Sequence, residues 1–344
     1  MRPRPARPAM WMNGACGAAA ACPAAPTSRC LPTAQKETMF KSGQTERYWL
    51  RWALALGVLF MATLTATGCG VPRLTTFEQG VEYLDANDYP RAIEWFKKDI
   101  TENGETLSNT YNLGVCYQDL RKFEEAIEWY ERALKLRPRD ARSLVNLAMI
   151  QLELKRDLTA LGLLEKAAES ERDRAYPLVA LGIYYQRLGN MPKAGEYYRA
   201  AVGREQKSAY AWFHFGTWYE ANDLMGDAAQ AYDRAAEIDP SDPLAFESAA
   251  RCYARLKNWS AASRNYDYAI AISPDRPELY IACADVMIEQ QRYERATQYL
   301  WTARSLVRND DRGIHERLVK LYKLMHESES RRQLPNEKSA EPPR

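Results

Sequence analysis

Residues 175–208 read AYPLVALGIYYQRLGNMPKAGEYYRAAVGREQKS. Apolar residues recur three and four apart on either side of Leu188, Gly189 and Asn190, a trio that tolerates the left-handed backbone found where helices end. The stretch therefore predicts a helix, a tight turn and a second helix. The same 34-residue frame slides along the chain without an insertion, giving windows that start at Arg73, Leu107, Ala141, Ala175, Ala209, Pro243 and Pro277 and end at Asp310. Self-similarity at that period marks a repeat array, in which each hairpin buries its apolar face against its neighbours.

The columns of this alignment carry the packing. Position 8 is small throughout: Gly80, Gly114, Ala148, Gly182, Gly216, Ala250 and Ala284. Position 20 is alanine in every window, at Ala92, Ala126, Ala160, Ala194, Ala228, Ala262 and Ala296. Two small residues facing each other let the helices of a hairpin approach closely. The space they leave is filled by position 24 (Phe96, Tyr130, Leu164, Tyr198, Tyr232, Tyr266, Leu300) and by the tyrosines at position 11. Position 27 is alanine except at Asp99, which marks the first repeat as degenerate. Pro138, Pro240 and Pro274 at position 32 end the second helix of their hairpins.

These columns, WxxLGxxY followed by AxxxF and P, resemble the tetratricopeptide repeat (TPR) family. The resemblance covers residues 73–310 and implies an all-α, right-handed superhelical solenoid of seven helix-turn-helix repeats: 73–106, 107–140, 141–174, 175–208, 209–242, 243–276 and 277–310. Residues 311–328 are expected to add a capping helix through Ile314, Leu318, Leu321 and Leu324, and residues 329–344 read as a disordered tail.

Ahead of the repeats the composition changes. Residues 1–38 are rich in Pro, Ala and Arg without apolar periodicity, and are expected to be disordered and upstream of the true start at Met39. From there Lys41, Arg47 and Arg51 form a positive flank before the apolar run WALALGVLFM at 52–61. That is the organisation of a signal peptide over 39–68. Its end, Leu64 to Cys69 (LTATGC), resembles the lipobox of bacterial lipoproteins, although Ala66 stands where leucine is usual. The resemblance implies lipidation at Cys69, with 69–72 as a linker. The competing reading is an uncleaved membrane anchor, since Trp52 to Pro72 carries no charge. Either arrangement places the repeats outside the cytoplasmic membrane, because the positive flank stays inside.

The formal net charge of +2 hides a division: residues 1–68 hold eight basic and two acidic side chains, leaving 39 basic and 43 acidic from residue 69 onward. A mildly acidic body has no excess to pair with a phosphate backbone, so no nucleic-acid partner is expected. Cys116, Cys252 and Cys283 fall at apolar helical positions and read as small hydrophobes, with a Cys252–Cys283 bridge left open. The three histidines, His214, His315 and His326, have no metal-ligand spacing, and no phosphate-cradling loop or nucleophile elbow is present. No enzyme, metal, cofactor or small-molecule substrate is expected. Asn258, Trp259 and Ser260 match the glycosylation tripeptide, too short a match to weigh.

In the TPR family the first helices of the hairpins line a groove through positions 2, 5, 6, 9, 12 and 13. Mapped onto this chain, the resemblance implies a partner-binding surface of Tyr111, Asn112, Arg142, Asn146, Tyr176, Arg187, Tyr210, Phe213, His214, Arg251 and Arg255. Asn112 and Asn146 share position 6, where an amide can serve a ligand backbone as donor and acceptor. Aromatic anchors beside Arg187, Arg251 and Arg255 would suit a peptide with apolar and acidic side chains, while Trp212, Phe215 and Tyr219 are expected in the core. Asn112 and Arg142 match the two-carboxylate clamp of chaperone-binding relatives, but Phe77 and Val81 stand where it needs Lys and Asn and Asn146 supplies no cation, so the clamp is incomplete and no preference for a chaperone-type acidic C-terminus is expected. The function expected is a scaffold binding a protein or peptide, tethered to the bacterial envelope and facing the periplasm or exterior. It resembles TPR lipoproteins of pilus biogenesis or envelope assembly. The alternative is a cytoplasmic or single-span-anchored regulatory adaptor.

Overall fold

A computed structural model describes residues 74–307 and 312–333, all within one compact unit. Residues 1–73, with the signal segment and Cys69, and residues 334–344 lie outside the described residues.

Fifteen helices and no strand occur among the described residues. The first hairpin pairs α1 (Thr76–Asp85) with α2 (Tyr89–Asn103), and the second pairs α3 (Leu107–Asp119) with α4 (Phe123–Leu136). Then follow α5 (Ala141–Glu153) with α6 (Asp157–Ser170), and α7 (Tyr176–Arg187) with α8 (Met191–Arg204). The last three hairpins are α9 (Ala209–Ala221) with α10 (Met225–Ile238), α11 (Pro243–Arg255) with α12 (Trp259–Ile272), and α13 (Pro277–Glu289) with α14 (Tyr293–Leu306). A final helix, α15 (Arg312–Gln333), runs past residue 328, where the sequence reading ends it. It seats Ile314, Leu318 and Leu321 in the core beside Cys283, Met287 and Leu300.

Helix starts follow local chemistry. Thr75, Thr106, Asp140 and Ser208 each accept the N–H three residues on, satisfying a donor that the helix itself cannot. Ala175 has no such side chain, and the Glu205 carboxylate reaches across from the next inter-repeat loop to take its N–H at 3.0 Å. The turns inside the hairpins share one feature that the sequence suggests only at Gly189. Position 15 is left-handed in all seven: Asn87, Arg121, Lys155, Asp223, Lys257 and Gln291 have φ of 58–60°, and Gly189 has φ 76°.

The seven alanines of position 20 are completely buried. A Cβ on Gly182 would come within 2.6 Å of the Tyr198 ring, and Gly80, Gly114 and Gly216 stand in the same relation to Phe96, Tyr130 and Tyr232. Glycine at position 8 is thus the seat of an aromatic at position 24 in the same hairpin. In two of the three hairpins with alanine at position 8, position 24 is instead leucine (Leu164, Leu300).

Asp99, the exception in the alanine column of position 27, is buried and accepts three hydrogen bonds, from Thr76 at 2.9 Å, Asn103 at 2.8 Å and Asn109 at 2.9 Å. Burial alone would raise its pKa; the bonds from Asn109, Asn103 and Thr76 outweigh it and hold the carboxyl below the usual range. What reads as degeneracy is therefore a polar latch between the first and second repeats. Cys116, Cys252 and Cys283 are buried free thiols, so the Cys252–Cys283 bridge does not form. Desolvation pushes their pKa values up to about 12, 11 and 12.

Candidate functional site

The odd-numbered helices α3 to α13 carry positions 2, 5, 6, 9, 12 and 13, and the implied lining residues lie along them in three groups.

The first group spans α3, α5 and α7. Tyr111 is buried and Asn146 donates to its hydroxyl at 3.1 Å, while a second bond of 3.1 Å goes from the same amide to Tyr130. Both donors of Asn146 are therefore engaged inside the protein. The expected offer of that amide's N–H groups to a ligand backbone is corrected: burial among two tyrosines makes it a fastening between the second and third repeats. Asn112, by contrast, is half-buried and has no protein partner among the described residues. Arg142 is exposed, with its guanidinium 5.0 Å from the centre of the Tyr111 ring. Asp140, two residues away, is occupied in capping α5 through the backbone and hydroxyl of Ser143. Tyr176 is buried and its hydroxyl meets no partner in hydrogen-bonding geometry. Burial first, then the nearby Glu171 carboxylate, raises its pKa.

The second group is the aromatic run of α9. Tyr210 and His214 meet edge-on at 4.4 Å between ring centres, and Phe213 touches His214 at 5.8 Å and Tyr232 at 5.3 Å. Desolvation lowers the His214 imidazole to about 4, so this patch is uncharged at neutral pH. Of the three aromatics expected in the core, Phe215 is buried, whereas Trp212 and Tyr219 are half-buried. Trp218 reaches instead into the preceding repeat: its indole N–H donates to the Met191 carbonyl at 2.9 Å and its ring fills the space over Gly195, where a Cβ would collide with it.

The third group is the arginines, and here the expected basic lining does not survive. Arg187 pairs with Glu153 at 2.6 Å, Arg251 with Glu220 at 3.0 Å and Arg255 with Asp223 at 3.0 Å. Each carboxylate belongs to the preceding repeat. The same device recurs where Arg317 of α15 meets Asp285 at 3.1 Å. These arginines join repeats and present no net positive strip. Arg142 stands apart from them, having no ion pair among the described residues.

One set of residues escapes the sequence reading. The Tyr130 hydroxyl donates to Gln118 at 2.9 Å, Tyr198 to Gln186 at 2.9 Å and Tyr232 to Glu220 at 3.0 Å. In these three hairpins position 24 thus sends its hydroxyl to position 12 on the first helix. Where position 24 lacks a hydroxyl, at Phe96, Leu164 and Leu300, position 12 is Leu84, Leu152 and Ile288. That covariation was visible in the alignment for six of the seven hairpins; the exception, the sixth, has Tyr266 at position 24 and Ala254 at position 12. Among the described residues no group of His, Cys, Asp or Glu is arranged to hold a metal, and no helix is long and apolar enough to cross a membrane.

A stack of antiparallel helix hairpins on one unbroken register defines a helical-repeat scaffold. Tetratricopeptide-repeat family models match residues 111–140 and 179–243, and the chain is a tetratricopeptide-repeat protein. No curated protein matches it in sequence. Among solved structures it is similar to a chain of the APC/C hetero-tetramer Cut9-Hcn1, with 14% identity and a TM-score of 0.52 over 75% of this chain. The match covers 50% of that chain, and the likeness is one of fold. It also matches Pseudomonas aeruginosa pilF, with 20% identity over 55% of this chain and 87% of that one and a TM-score of 0.46. YrrB, described as a TPR protein with an unusual peptide-binding site, matches with 24% identity over 58% of this chain and 99% of that one, at a TM-score of 0.35.

Proposed function

We propose that the protein is a tethered scaffold that holds a segment of another protein along the faces of its odd-numbered helices. The observation that carries this reading is the surface from Arg142 to Phe213: half-exposed aromatic rings, an uncharged histidine and one arginine without a carboxylate. Rings with few rotatable bonds lose little entropy on contact and suit apolar side chains of a partner. Because the arginines of the later repeats are already neutralised, acidic partner groups are drawn to the Arg142 end. The tether is Cys69, diacylated and left as the first residue when residues 39–68 are removed, and the setting is a bacterial envelope assembly such as pilus or secretion machinery.

Two measurements test the parts separately. Co-purification from native membranes of cells carrying Tyr210→Ala with Phe213→Ala should lose the partner recovered with wild type; unchanged recovery ends the binding-face reading. Metabolic labelling with a fatty acid should mark wild type and not Cys69→Ala, and the mutant should leave the membrane fraction. A mutant that stays membrane-bound identifies an uncleaved anchor, and a wild type never found in membranes supports the cytoplasmic adaptor.

A further inference from the structure

The last helix differs from the first helices of the seven hairpins in what lies beside it. Continuing the 34-residue frame from Asp311 puts Ile314, Leu318 and Leu321 of α15 at positions 4, 8 and 11, and all three are buried. In the hairpins position 8 is glycine or alanine and seats a second helix; here it is Leu318. α15 also runs on through positions 14 to 16, where the hairpins turn, as far as Gln333. Among the described residues no second helix follows it.

The flank that such a helix would cover stays open. At positions 5 and 12 the hairpins lean on their second helix: Phe77, Tyr111 and Phe213 meet the rings of Phe96, Tyr130 and Tyr232, and Gln118, Gln186 and Glu220 take the tyrosine hydroxyls. On α15 those positions are His315 and Tyr322, with Val319 between them and His326 one turn further on. Val319 and Tyr322 are 42% and 49% exposed. Together with Glu327, a diamond of Val319, Tyr322, Lys323 and His326 lines a notch. That i, i+3, i+4, i+7 arrangement is the hole into which a facing helix inserts a side chain. The helix itself is fixed on the array, since Arg317 meets Asp285 of α13 at 3.1 Å.

The flank is complementary to itself. His315, Val319, Tyr322 and His326 are spaced four, three and four apart, a pattern that reads the same in both directions. An antiparallel copy therefore sets Val319 level with Tyr322 and drops it into the notch. Glu316 and Lys323, both exposed, border the stripe seven residues apart, and the two-fold axis brings each Glu316 beside Lys323 of the second copy. A parallel copy would face these charges with Leu318 and Met325, which pack toward the core. Antiparallel is also the direction of the second helix in every hairpin.

We infer that α15 is a dimerisation helix: it pairs antiparallel with α15 of a second copy of this chain, each supplying the helix that the other's eighth frame lacks.

Sedimentation velocity of the full chain in a non-ionic detergent, over a concentration series, tests this. One helix flank is smaller than a standard interface, so half-dimerisation is expected at about 10–100 μM. Val319→Asp should raise that concentration about tenfold or more, because it closes two carboxylates into apolar holes. Glu316→Lys and Lys323→Glu should each raise it about tenfold by setting like charges together twice, and the two combined should return it to within about threefold of wild type. Recovery in the combined variant cannot come from a damaged fold. A chain that stays monomeric throughout the series, a dimer indifferent to Val319→Asp, or a combined variant weaker than either single one would overturn the inference; the first would leave the flank to a helix of another protein.

Discussion

The junction between repeats one and two and the junction between repeats four and five occupy the same places in the 34-residue frame and are held by opposite chemistry. At the first, a buried carboxylate, Asp99, gathers Thr76, Asn103 and Asn109. At the second, Ala201 replaces the acid, and Trp218 is pressed onto Gly195 with its N–H on the Met191 carbonyl. A register defined by small residues at positions 8 and 20 fixes where helices lie. It leaves the contact between neighbouring hairpins free to be polar or aromatic, as expected when stability is a sum of repeats and nearest-neighbour interfaces.

The contrast can be broken from either side. Asp99→Ala removes three bonds to a charged group and should cost about 3 kcal/mol at neutral pH. Native-state hydrogen exchange should report the loss in α1 to α3, with α9 unaffected. Since the folded carboxyl is held below its unfolded value, its contribution is complete above the ordinary aspartate pKa and fades as pH falls through the folded one. The difference between wild type and Asp99→Ala in urea midpoint should therefore shrink in acid.

Gly195→Ala should cost about 2 kcal/mol by overpacking Trp218, with no dependence on pH between 5 and 8, and exchange should quicken in α8 and α9. Adding Trp218→Phe should return part of the loss. Lys155→Gly should stabilise by about 0.5 kcal/mol, since glycine relieves a left-handed side-chain penalty at the expense of a freer unfolded chain. The smallest effect is expected at Arg255→Ala, within about 0.5 kcal/mol, because its partner Asp223 is 83% exposed and solvent screens such pairs. A larger loss there would mean that ion pairs between repeats matter as much as the two buried latches.

The hairpins were legible because Ala92 through Ala296 recur at one spacing, and a column of seven identical small residues has few physical causes. Asp99 was visible as an exception, but its meaning was not: its partners Thr76 and Asn109 lie 23 and 10 residues away and fall in no repeating column. The tyrosine at position 24 and the amide or acid at position 12 formed a readable pair, missed because each column was weighed alone. The lining residues were harder. Arg187, Arg251 and Arg255 occupy the right positions, yet position says nothing of Glu153, Glu220 and Asp223 opposite them. Asn146 likewise sits at the same frame position as Asn112, and only the two tyrosine hydroxyls beside it separate a structural amide from an available one.

The seven left-handed corners have a consequence for how this chain stands in sequence space. Glycine would suit every one of them, and it is used once, at Gly189. The array therefore keeps unclaimed stability at six of its seven evenly spaced corners, none of them among the residues implied to line the binding face. Natural proteins retain such headroom when selection asks only that a threshold be met. A variant with glycine at several of these corners could carry the burden of altered side chains on α3, α5 and α9, leaving the binding surface open to redesign in a scaffold that still folds.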